Sequence, residues 1–100
     1  MKMKRYKRMN NKLLRWYKKA NKKLDKMVKV WNQSTKYDEK LSRKNTLFHL
    51  FHATKCDKYQ NQIVLMLFND KITLDEYFDL HNLCNSINHD LNERLTYEFD

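Results

Sequence analysis

Residues 12 to 31 read KLLRWYKKANKKLDKMVKVW. Leu13, Tyr17, Ala20, Leu24, Met27 and Trp31 recur there at alternating steps of four and three, the spacing of one face of a helix. Leu14, Trp16, Val28 and Val30 widen that face, and the same rhythm extends back through Met9, Tyr6 and Met3. Lys12, Arg15, Lys19, Lys22, Lys26 and Lys29 keep step on the opposite side. One long helix over residues 1–34, apolar along one edge and cationic along the other, is therefore predicted.

The remainder, 35–100, reads as three further helices, which makes the chain an all-α single domain, a small bundle of about four helices. Asn32 to Thr35 marks a break, with Thr35 as a cap and Asp38 in the favourable first turn. The second helix runs to about residue 54, with Tyr37, Leu41, Phe48 and Phe51 as its apolar face. Asp57 and Gln60 read as a new start before the apolar run Ile63 to Phe68, for which an isolated strand is the alternative. After the polar turn Asn69–Lys71, Thr73 and Glu76 form a capping box. The last helix then buries Leu74, Tyr77, Phe78, His81 or Cys84, Ile87, Leu91 and Leu95.

Composition supports this reading and removes many others. One hundred residues with 41% hydrophobic content can close one core without disulfides or metal. There is no Gly and no Pro, the residues that tight hairpins and sheet bulges rely on. Their absence also excludes glycine-rich phosphate loops, dinucleotide fingerprints and the nucleophile elbow. No N-terminal apolar run has the length of a signal peptide or membrane span, so a cytoplasmic protein of a bacterial or phage-infected cell, with Cys56 and Cys84 reduced, is expected.

Charge is partitioned along the chain. Residues 1–36 carry fourteen Lys/Arg against Asp25 alone, residues 37–69 are nearly balanced, and residues 70–100 carry eight acids against Lys71 and Arg94. The ridge from Lys12 to Lys29 spans about 26 Å, enough to meet several successive phosphates. Like charges at this spacing repel, so an external polyanion is the natural partner. The competing readings are a solvated face and neutralisation by the acidic closing helix, although the latter has too few acids to cancel the whole excess.

The candidate interface is Lys4, Arg5, Tyr6, Lys7, Arg8, Lys12, Arg15, Lys18, Lys19, Lys22, Lys23, Lys26 and Lys29. Its lysine-rich character favours backbone phosphates over reading of base edges. Tyr6, set among Lys4, Arg5, Lys7 and Arg8, is the aromatic best placed to stack on an unpaired base, whereas Trp16, Tyr17 and Trp31 read as core. A membrane-surface or calmodulin-target role is disfavoured, because the other helices need the apolar edge of the first.

Sites for chemistry are sparse. His52, Cys56, His81 and Cys84 have the composition of a Cys2His2 zinc site, but spacing within two separate helices is weak evidence, ordinary buried cysteines and partly exposed histidines are the favoured reading, and no metal or cofactor is expected. Asp75, Glu76 and Asp79 have the composition of a Mg²⁺ cluster, yet acids in a first turn already offset the helix dipole. Ser34, Ser42 and Ser86 belong to no visible triad. A non-enzymatic protein is expected.

The short, helical, strongly charged profile is similar to that of many phage or mobile-element accessory proteins, in composition only and with no residue carried over. Three functions fit. The first is a nucleic-acid-binding module acting on DNA or RNA phosphates. The second is a protein-directed inhibitor, resembling anti-CRISPR or host-takeover proteins, that docks on an acidic surface or a nucleoprotein. The third is a helical oligomer joined through Trp16, Val30 or Phe99.

Overall fold

The computed structural model describes residues 2–33 and 39–99. Three helices follow in chain order: α1 Lys2–Gln33, α2 Glu39–Phe68 and α3 Leu74–Tyr97. At 1.5 Å per residue they are about 48, 45 and 36 Å long. They form a rod of 54 × 17 × 16 Å with a radius of gyration of 16.1 Å. A compact 100-residue domain has about 13 Å.

α2 runs unbroken where two helices were expected. Phe48, His52, Cys56, Tyr59 and Ile63 form one continuous buried stripe across residues 55–60, so packing carries the helix through. Asp57 is an exposed position on that helix and starts nothing. The apolar run Ile63 to Phe68 is helical, not a strand. Asn32 and Gln33 belong to α1, while the expected cap at Thr35 and the contributions of Tyr37 and Asp38 lie outside the described residues.

α2 ends without glycine. Lys71 N–H donates to Met66 O at 2.8 Å and Asp70 N–H to Leu67 O at 3.1 Å, the paired bonds of a Schellman motif. Asp70 takes the left-handed conformation, φ 56°, that glycine normally supplies there. Three residues after Asp70 the expected capping box opens α3. Thr73 Oγ1 accepts from Glu76 N–H at 3.2 Å, and Glu76 Oε1 accepts from Thr73 N–H at 2.8 Å.

The core is a single seam. Met9, Leu13, Trp16, Ala20 and Leu24 of α1 meet the buried stripe of α2 and Leu80, Cys84, Ile87, Leu91 and Leu95 of α3. Trp16 packs on Tyr59 with ring centroids 5.2 Å apart, and Trp31 meets Phe99 edge-on at 5.6 Å. Each helix has only two neighbours, so the buried stripes are narrower than expected. Phe51, Leu74 and Phe78 remain more than half exposed, as do several other large apolar side chains of α2. Trp16 and Phe99 are buried in the monomer and offer no surface for an oligomer, whereas Val30 is exposed.

Candidate nucleic-acid interface

The cationic side of α1 is set by the helical period. With 100° per residue, the twelve bases from Lys4 to Lys29 fall in an arc of about 160° opposite Leu13. All twelve are exposed. Residues near one edge of the arc face α2, where Lys12 Nζ lies 5.8 Å from the Tyr59 ring and donates to Gln62 Oε1 at 3.2 Å. Lys23 Nζ likewise lies 5.8 Å from the Phe48 ring and 6.0 Å from that of Phe51. The other edge faces α3.

Among the described residues none of these twelve bases forms an ion pair with a carboxylate. Asp25 of α1 and the acids of α3 that reach α1 are engaged by other side chains. Tyr6 Oη donates to Asp79 Oδ2 at 2.7 Å, and Tyr17 Oη donates to Asp90 Oδ2 at 2.8 Å. These bonds, reinforced by partial burial, hold both phenols above their ordinary pKa. Arg94 takes Asp25 at 2.8 Å and Glu98 at 2.7 Å, and also donates to Asn21 Oδ1 at 2.9 Å. Burial works against the Arg94 charge, but these two carboxylates outweigh it and raise its pKa. Glu93 is met by His89 at 3.1 Å, and Glu76 closes the capping box.

Tyr6 therefore differs from the bases around it. Its ring packs against the core and its hydroxyl is tied to Asp79, so it faces α3 rather than the arc of charge.

Sequence reasoning missed the α2 side of the candidate interface. Arg5, Arg8, Lys12 and Arg15 form one wall of a groove of about 640 Å³, opposite Gln62, Leu65 and Met66. A smaller recess of about 190 Å³ sets Lys19, Lys23 and Lys55 around Phe48, Phe51 and His52. Lys55 Nζ lies 5.3 Å from the Phe51 ring. Once Phe51 and Leu65 had been assigned to a covered face, or to a separate helix, nothing in the periodicity of α1 could place them beside it.

The four residues with zinc-site composition do not converge. Cys56 and Cys84 come together, Sγ to Sγ 3.6 Å, both buried. His52 is buried, with neither ring nitrogen hydrogen-bonded, and His49 stands edge-on 5.3 Å away. His81 instead stacks on Tyr77 and meets Asn85 at 3.2 Å, because its place on α3 turns it off the core. Among the described residues no group of three or more His, Cys, Asp or Glu side chains is arranged to hold a metal ion. Burial pushes the Cys84 thiol up to about 12 and raises that of Cys56. Burial lowers the pKa of His52, with the positive field of His49 adding to it and Asn92 opposing.

No helix among the described residues is long and apolar enough to cross a membrane. Comparison with protein-family models, with curated proteins and with solved structures finds no match to the chain.

Proposed function

We propose that the chain binds nucleic acid through the phosphate backbone, with the exposed arc of α1 as its contact surface and no catalytic step. The observation that carries this reading is the lack of carboxylate partners among the described residues: twelve exposed bases face one direction while Asp79, Asp90 and Asp25 are held by Tyr6, Tyr17 and Arg94. Uncompensated charge of this density repels itself and is relieved by releasing counterions from a polyanion. Lys12, Arg15, Lys19, Lys22, Lys26 and Lys29 form the ridge along the arc, with Lys12 toward its α2 edge, and are the principal contacts; Lys4, Arg5, Lys7, Arg8, Lys18, Lys23 and the neighbouring groove extend it. Lysine-dominated contact predicts little sequence preference.

A gel shift on single- and double-stranded DNA and RNA at two salt concentrations tests this reading. Glutamate at positions 12, 15, 19, 22, 26 and 29 is expected to abolish the shift while leaving the helical circular dichroism intact.

A second reading draws on the groove between α1 and α2, where four bases face Leu65 and Met66. That mixture of charge and apolar surface suits an acidic amphipathic segment of a protein, as an inhibitor of a nuclease or nucleoprotein requires. It predicts a stoichiometric protein complex and no shift of free nucleic acid.

A further inference from the structure

α1 and α2 leave a recess between them near the middle of both helices, and its origin is one small side chain. The buried stripe of α1 runs through Leu13, Trp16, Ala20 and Leu24, and at Ala20 the helix offers a methyl group where the other three offer large side chains. The space left opens toward α2 as a recess of about 190 Å³. Trp16 and Phe48, both buried, form its base, and Phe51, 59% exposed, stands as a wall open to solvent. Sites that enclose whole small molecules measure about 300–1,000 Å³, so this one has room for a single ring system and leaves the rest of its ligand outside.

Two further features define what that ring system carries. His52 lines the recess with only 2% of its surface exposed, and neither ring nitrogen has a hydrogen-bond partner among the described residues. A buried polar group left unpaired is destabilising, and a ligand with donors or acceptors on its edge removes that penalty. At the mouth stand Lys19, Lys23 and Lys55, three cations with no carboxylate bridge among the described residues. The ligand is therefore flat and apolar on its faces, hydrogen-bonding at its edge and negatively charged on its outer side. An unpaired nucleobase with its flanking phosphates has this chemistry. A phenyl or aliphatic side chain of a protein partner would leave His52 unpaired.

We infer that the recess receives one unpaired base of a nucleic-acid strand, with the base on Phe51, its edge at His52 and its phosphates at Lys19, Lys23 and Lys55. The inference rests on the phosphate binding proposed for α1 and adds to it a preference for single strands. Lys19 and Lys23 belong to both surfaces, one turn apart along α1, about 6 Å, so a strand that follows the arc passes the mouth of the recess. In the free protein Lys23 Nζ and Lys55 Nζ lie 6.0 and 5.3 Å from the Phe51 ring. These cations hold the place that the base takes, and they move out to phosphates as the base stacks, so one favourable contact replaces another. Paired bases are stacked inside a duplex and do not enter. Tyr6, the aromatic that the sequence singles out for stacking, is tied to Asp79, and Phe51 takes that role.

Two oligomers of equal length and charge test the inference: oligothymidylate of about twelve residues and a counterpart whose residues all lack the base, compared with a duplex of the same length. Fluorescence of the Trp31→Phe chain, in which Trp16 is the one remaining tryptophan, reports from the base of the recess. Oligothymidylate should quench Trp16 and bind about tenfold more tightly than the abasic oligomer. Phe51→Ala should remove that difference, with unchanged helical circular dichroism, and leave the abasic oligomer and the duplex bound as before. Lys55→Gln, which lies outside the arc, should weaken oligothymidylate and spare the duplex. Equal affinity for the two oligomers, a preference that survives Phe51→Ala, or a preference without quenching of Trp16 would each overturn the inference and leave the phosphate reading in place. Absence of binding to all three nucleic acids would overturn both.

Discussion

Arg94 on α3 reaches across to Asp25 on α1 with its guanidinium nitrogen 2.8 Å from the carboxylate. Asp25 is the sole acid among the first 36 residues, so this bridge engages the one carboxylate that α1 itself carries. The same guanidinium also binds Glu98 and the Asn21 side chain, tying the last turn of α3 to the middle of α1. Arg94→Leu should therefore destabilise the fold by roughly 1 kcal/mol, a modest figure because Asp25 is largely exposed and screened by solvent. Urea unfolding followed by circular dichroism measures it.

The end of α2 offers the opposite kind of change. Asp70 holds a left-handed backbone that a residue with a Cβ adopts at a cost. Asp70→Gly should stabilise by about 0.5–1 kcal/mol, the relief of that strain exceeding the extra freedom glycine gives the unfolded chain. Thr73→Ala, which removes the hydroxyl that caps α3, should cost about 1 kcal/mol. Thermal melts of the two variants should move in opposite directions.

His52 links stability to pH. Its pKa in the folded protein lies below the ordinary 6.5, so between the two values the unfolded chain binds the proton and the folded one does not. Its contribution is complete above about 6.5 and is lost as pH falls below that value. His52→Leu removes two buried nitrogens that have no hydrogen-bond partner, and should leave stability at pH 7 within about 1 kcal/mol of the parent or above it. The variant's denaturation midpoint should also fall less than the parent's between pH 7 and pH 5.

The cysteines give a probe of opening. Both are buried, and the Cys84 thiol is held up to about 12 by burial and by its neighbour Cys56. Only thiolate reacts with disulfide reagents, so labelling at pH 8 should be slow in the native protein and should appear with unfolding. Rapid labelling without denaturant would place the thiols nearer the surface than the fold allows.

The sequence announced α1 and α3 more clearly than α2, and the reasons are physical. α1 segregates apolar and basic residues so sharply that both its buried stripe and its cationic arc follow from the 3.6-residue period. The Thr73/Glu76 box is a local motif that needs no tertiary contact to be read. α2 is apolar on two sides, which blurs its period, and Asp57 with Gln60 imitates a helix start in the middle of it. The engagement of Asp79 and Asp90 by tyrosines depends on which helix faces which, information that no single-helix pattern carries. The stop after Phe68 was legible as a polar turn, but its Schellman geometry was hidden because aspartate stands where glycine is usual.

The dependence of nucleic-acid affinity on salt bears most directly on whether the α1 arc meets phosphates. Fluorescence anisotropy with a labelled duplex, repeated over a salt series, should give a slope of log affinity against log salt of about −5 if the six ridge bases each neutralise one phosphate, and Lys22→Gln with Lys26→Gln should flatten it by about two. An affinity that does not change with salt, or a slope that survives those substitutions, would contradict the account.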